Sequence, residues 1–341
     1  MNKCKLLALC LLWPAFVFAH HSIPAIYDLS DIRSMQGTIT DVRWINPHVR
    51  ITLETTTDDG ETELWELEAS ATNMLQRAGI SRDILEVGSQ ITARGPIGRQ
   101  GRKAMIAAVV DLPDGLTVTI FAPIAAAVGL IESSGVPDSA AGFVAARNSG
   151  ALGRDDLFRV WTLKEKANVS AIANGYPLTD EALAAIRNYD PIADDPALLC
   201  EPPGVPVILD TPFPMAFVRQ GNNIEMQYEE WDGRRTIHMG PVDFPVDAEP
   251  SQMGHSIGHF ANGTLTIETR NVAYPFFDDT GTPQSLQSQI IERYSLINDN
   301  SEIVWRATIT DPQNFREPVS IGGSLVWNPD EEIKPYNCTL P

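Results

Sequence analysis

The sequence predicts an all-β protein of two barrels: an OB-type five-stranded barrel, then a lipocalin-like antiparallel β-barrel, with a short helical or irregular connector between them. Three observations carry this reading. Short segments alternate polar and apolar residues over 34–119 and again from Cys200 to the C-terminus. Turn pairs such as Asp58-Asp59-Gly60, Asp232-Gly233 and Asn262-Gly263 separate them. Helical patterning is confined to brief stretches. At 341 residues, 43% hydrophobic and 20% charged, the chain has the composition of a folded protein and the length of about two domains.

Residues 1–19 read as an export signal. Lys3 and Lys5 form a basic start, Leu6 to Phe18 is mostly apolar, and Val17-Phe18-Ala19 suits cleavage after Ala19. The apolar stretch is too short for a membrane span. Leu7-Ala8-Leu9-Cys10 has the letters of a lipobox but carries bulky Leu9 where a small residue belongs. Cleavage takes the formal charge from −19 to −21 and leaves Cys200 and Cys338 as the only cysteines. A periplasmic or secreted location follows, with those two residues joined as a disulfide worth ~4–5 kcal/mol in the chain-entropy model. Residues 116–131 are uncharged but contain Pro123, so no membrane span is expected after signal cleavage. So acidic a surface repels nucleic acid, which is not expected as a partner.

Residues 20–119 form the expected OB-type domain. Gly37 to Trp44, His48 to Glu54 and Glu63 to Glu68 alternate as strands. A short helix follows with Ser70 or Thr72 as N-cap and Gly79 at its end, and strands at Ser89–Gly95 and Lys103–Asp111 complete the set. Residues 120–199 read as the connector, with one capped helix over Thr179–Arg187. Residues 200–341 form the second barrel. Its strands are Met215–Gln220, Ile224–Trp231, Arg234–Met239, His255–Phe260, Thr264–Val272, Gln289–Ile297, Glu302–Thr310, Val319–Trp327 and Ile333–Tyr336.

The six histidines are the candidate chemistry. With His20 first in the processed chain, its α-amino group and imidazole can chelate one metal. A third nitrogen from His21 or His48 completes the N-donor set that Cu(II) prefers. The plain alternative is a mobile Ala-His-His terminus and a structural His48. His238, His255 and His259 lie in the second barrel. His255 and His259 are four apart, on one face of a strand and about 13 Å from end to end, too far for one metal without a bulge at Gly258. Glu229 and His238 form a candidate acid–base pair if the polar faces of their strands point into the barrel; outward, they are a solvated surface. Gly254-His255-Ser256-Ile257-Gly258 has the letters of a nucleophile elbow, but its neighbours are strand-like and the motif requires strand–turn–helix.

His20-His21-Ser22 at the expected mature start and Asn46-Pro47-His48 resemble a family of secreted proteobacterial proteins of unknown function. Tyr189-Asp190-Pro191, Pro196 to Gly204, Arg235 to Met239 and Gly254 to Gly258 are similar to a companion β domain in such proteins. The resemblance implies no activity. His259 stands where similar chains would carry Arg, which counts against it as a ligand.

The leading expectation is a periplasmic copper-binding protein, with His20, His21 and His48 at the metal and an oxidoreductase role on a small apolar molecule held in the second barrel. The alternatives are a metal-free isomerase or lyase using Glu229 and His238, and a non-catalytic carrier of hydrophobic ligands.

Overall fold

The computed structural model describes residues 23–132, 157–167, 169–245 and 247–340. The expected export signal, His20, His21 and much of the connector lie outside them. The protein is all-β, with two closed barrels.

A short helix, α1 (Ile23–Ile26), leads directly into the long strand β1 (Tyr27–Arg43). Then come β2 (Arg50–Thr56), β3 (Thr62–Glu68), α2 (Thr72–Arg77), β4 (Gln90–Gly98), β5 (Ala104–Ile106), β6 (Val109–Asp111) and β7 (Thr117–Thr119). The order β1-β2-β3-β5-β4 closes through a β1–β4 pairing. β1 serves both neighbours, pairing β4 from Tyr27 to Thr38 and β2 from Thr38 to Arg43. Gly37 sits at the changeover, where a Cβ would lie 2.4 Å from the Glu54 carbonyl oxygen. Strands that alternate in direction all the way round must be even in number, so five strands require a parallel neighbour pair, and it is β3–β5.

Two expectations change here. The strand expected over Lys103–Asp111 is broken into β5 and β6. Between them buried Ala107 and Ala108 carry the chain from hydrogen bonding with Glu68 to hydrogen bonding with Arg94. Neither Ser70 nor Thr72 caps α2. Its N-cap position is Ala71, without a capping side chain, and Asn46 Oδ1 accepts the Thr72 N–H instead at 2.8 Å. Ile39, Ile51, Leu53, Leu67, Ile91 and Met105 fill the barrel. Outside its wall, α1 and α3 (Ala122–Ala127) cover a second small core that includes Ile26, Tyr27, Ile106 and Phe121.

The second barrel begins earlier than Cys200. β8 (Val160–Glu165), inside the stretch read as connector, supplies a strand between those expected at Val319–Trp327 and Met215–Gln220. Helix α4 (Asp180–Asn188) follows, capped by Thr179 as the sequence indicates, and seats Ala182, Leu183 and Ile186 on the barrel core. The remaining strands are β9 (Met215–Gln220), β10 (Asn223–Tyr228), β11 (Arg234–Met239), β12 (His255–Ala261), β13 (Thr264–Arg270), β14 (Gln289–Ile297), β15 (Glu302–Thr310) and β16 (Val319–Trp327). Nine strands close the ring, and again one pair, β11–β12, is parallel. β11 and β12 are therefore not joined by a tight hairpin, as an antiparallel pair could be.

The turn expected at Asp232-Gly233 is shifted: Trp231 and Asp232 take the left-handed conformation, with φ of 54° and 53°, while Gly233 is extended. Ile333–Tyr336 joins neither barrel as a strand. It belongs to a C-terminal tail tied down by the Cys200–Cys338 disulfide, which spans 138 positions of sequence. Among the described residues, no helix is long and apolar enough to cross a membrane.

The polar faces of β10 and β11 point outward, and the lumen is packed with side chains. Trp161, Phe217, Met226, Tyr228, Ile267 and Trp305 are among its buried members. Amid them lies an ion pair with less than 3% of either residue exposed. Arg235 reaches both oxygens of Glu292 (2.6 and 3.1 Å) and Ser256 Oγ (2.9 Å), and Tyr294 donates to Glu292 Oε2 (2.8 Å). Arg235→Ala leaves the carboxylate buried without its cation and is expected to cost about 3–5 kcal/mol. Paired replacement by Arg235→Met and Glu292→Leu should cost less, as read from urea unfolding midpoints; equal losses would contradict this account.

Candidate metal centre

His48 owes its position to Asn46, two residues upstream, which is held from several sides. Its Oδ1 accepts from the Thr72 backbone N–H and hydroxyl (2.8 Å each). Its Nδ2 donates to the Tyr336 carbonyl, and its own carbonyl accepts from Thr339 N at 3.0 Å. The start of α2 and the C-terminal tail thus grip a residue four positions before β2.

The His48 ring is buried, 6% exposed, against Phe121 at 5.9 Å between centroids. Its Nδ1–H donates to the Ala69 carbonyl at 3.0 Å. A carbonyl can only accept, so the proton belongs on Nδ1, and in the neutral ring Nε2 carries the lone pair. That nitrogen faces Glu68 Oε1 at 3.4 Å. The other oxygen, Glu68 Oε2, accepts from Arg50 Nη1 (2.8 Å) and from the Tyr27 hydroxyl (2.9 Å). Arg50 also bonds Glu66 Oε1 at 2.9 Å. Burial, then the Glu68 charge, raises the Tyr27 phenol well above its ordinary pKa and keeps it a donor.

Glu68, Arg50 and Tyr27 were not singled out from sequence. On β3, Glu68 continues the outward row of Leu64 and Glu66, whose local pattern is that of a solvated face. It is buried because distant segments, residues 23–27 and 121–125, roof that end of the strand.

Among the described residues, no group of three or more His, Cys, Asp or Glu gathers to hold a metal. His48 with Glu68 makes two donors. His20 and His21 lie outside the described residues, but the described chain begins at Ile23, which packs on the same small core as Phe121 and Tyr27, and Pro24 is anchored by Arg99 Nε at 2.9 Å.

The other candidates are not brought together as the acid–base reading requires. Glu229 lies past the far end of the β10–β11 hairpin from His238, on the order of 15–20 Å along the strands. It is fully buried between the two barrels. There Arg77 grips both its oxygens at 2.6 Å, and Asn73 Nδ2 and Lys334 N donate to it. It is an ion-pair anchor.

His238 instead stacks on His255, with centroids 4.7 Å apart and planes 12° apart. Ring nitrogen lone pairs lie in the ring plane, so parallel stacked rings do not converge on one metal. β12 runs in regular register with no bulge at Gly258, which leaves His255 and His259 separated along one outward face.

Residues 9–107 match a family of unknown function (DUF6152). The match spans the first barrel through β5 and includes His20, His21, Asn46, His48 and Glu68. No curated protein matches the chain.

Burial first, and the neighbouring His238 second, lowers the pKa of His255 from its ordinary value. A histidine depressed on folding binds its proton more readily when unfolded, so His255 costs stability as pH falls through and below about 6.5. Proton NMR should show His255 titrating below free histidine, with His238→Ala moving the midpoint upward. An unmoved midpoint would remove the coupling.

Proposed function

We propose that the protein is a periplasmic copper-binding protein whose metal is held where the processed N-terminus meets the first barrel. His20 supplies its amine and imidazole, and His48 supplies Nε2. The observation that carries the reading is the state of His48: a buried imidazole with Nδ1 committed to a carbonyl and Nε2 turned toward a carboxylate, beside the segment that leads back to His20. An outer hydrogen bond that fixes tautomer and ring direction is the usual companion of a histidine ligand.

Ile23 lies three positions after His20, a reach of roughly 10 Å when extended. His21 is the alternative donor from the same segment. Bound copper supplies a one-electron redox centre, the basis for an oxidoreductase role. The second barrel serves this reading as a support, holding Asn46 and α2 through its tail and Glu229, because its lumen is occupied by its own side chains.

Cu(II) EPR on natively exported protein, with an intact mass placing His20 first, tests the reading. One equivalent of an ordered, nitrogen-rich signal is expected. It should be lost when one residue is added before His20 and lost or broadened in His48→Ala. Absence of an ordered signal in the correctly processed protein would overturn the proposal.

A further inference from the structure

Both barrels are filled by their own side chains, and a small molecule finds room outside them. A cleft of about 490 Å³ lies between the end of β1, α2 and the C-terminal tail, within the size range of small-molecule sites. Its floor is pre-formed. Asn46 Oδ1 accepts from Thr72, and Asn73 Nδ2 donates to Glu229 Oε1 (3.0 Å) and to the Pro335 carbonyl (3.2 Å), so these buried side chains are already bonded.

The walls are different. Trp44, Gln76, Glu332, Lys334 and Asn337 line the cleft. Among the described residues, no hydrogen bond or ion pair engages the side chain of any of the five, and Glu332, Lys334 and Asn337 are bonded through their backbones. A second cleft, of about 450 Å³ between the β4–β5 turn and the start of β1, lacks this openness. Its charges are paired with one another: Arg33 with Asp31 (2.9 Å), Lys103 with Glu63 (3.0 Å) and Arg99 with Asp28 (3.5 Å).

The open groups of the first cleft are one cation, one anion, two amides and an indole. Their charges cancel, so a ligand of either sign meets a like charge. A hydroxyl both donates and accepts, and suits every one of them. Trp44 packs on the core of the first barrel and is half-buried, which fixes its ring and leaves part of an apolar surface to the cleft. A sugar ring matches this set, with hydroxyls around its rim and C–H groups on its faces.

We propose that the cleft binds a neutral sugar, with a C–H face against Trp44 and hydroxyls bonded to Gln76, Glu332, Lys334 and Asn337. Neither His48 nor Glu68 lines the cleft, so the proposal stands apart from the copper reading and survives its failure.

The test is NMR on the full chain labelled with ¹⁵N, following the Trp44 indole N–H, which Trp44→Phe assigns. The probes are the methyl glycosides of glucose, galactose, mannose and N-acetylglucosamine, with glycine and inorganic phosphate as charged comparisons. At least one glycoside should move the indole resonance saturably at millimolar concentration. Gln76→Ala and Lys334→Ala should each weaken that binding about tenfold, the size of one lost hydrogen bond. Neither side chain has an internal bond to lose, so both variants keep the fold. No saturable shift with any glycoside overturns the proposal. A shift equally strong in both variants removes the sugar from this cleft, and a response to glycine or phosphate alone overturns the neutral class.

Discussion

A ring of strands that alternate in direction must contain an even number of them, and both barrels here have an odd number, five and nine. Each must therefore include a parallel pair, and a parallel pair cannot be joined by a tight hairpin. In the first barrel this brings β5 beside β3, and the chain then crosses at Ala107 and Ala108 to reach β4. The β3–β5 pairing sets Ile106 opposite Glu68 at the end of β3, and hydrogen bonds from Ile120 and Phe121 to the Ala108 carbonyl lay Phe121 next to His48. Phe121 is in this way brought to one side of the roof over Glu68, and residues 23–27 supply the other.

Among the described residues, three arginine–carboxylate pairs have a fully buried carboxylate, each with bonds that offset the loss of water. Arg50 is shared between Glu66 and Glu68, Arg77 clasps Glu229 with both nitrogens, and Arg235 lies against Glu292 in the second lumen. A buried pair is not a strong source of stability, but removing one partner is severe, so such pairs define geometry more than they add free energy. Arg77 and Glu229 set one barrel against the other, with Asn73 bonded to the same carboxylate. Asn46 does the same through hydrogen bonds alone, joining α2 and the disulfide-tied tail to the start of β2. His48 is thus oriented by contacts that reach into the C-terminal tail.

Much of the scaffold was readable in the residues. The Thr179 cap, the Asn262-Gly263 turn, the alternation along β10 to β16 and the pairing of Cys200 with Cys338 are local or combinatorial facts that nothing tertiary overrode. The misreadings have a common cause. Asp232-Gly233 matches a favoured hairpin turn in letters, yet the Asp232 carboxylate is occupied with the Tyr336 and Asn337 amides, and the left-handed residues are Trp231 and Asp232. β8 lies in an irregular stretch and is a strand because the second barrel needs a neighbour for β16 and β9. Glu229 and His238 share a hairpin, but they lie toward its opposite ends.

By itself the sequence determined what depends on near neighbours: the period-two strands, the turns, the helix over 180–188, and His48 at the threshold of a strand. Tertiary structure alone decided which charged groups are buried and with whom. Glu68 belongs to an outward row that periodicity marks as solvated, and packing against parts of the chain distant in sequence, Tyr27 about 40 positions before it among them, takes it out of water. Side-chain periodicity encodes which face a residue occupies. Whether that face meets solvent or another part of the chain is settled by packing at long sequence separation, and the candidate metal site is made there.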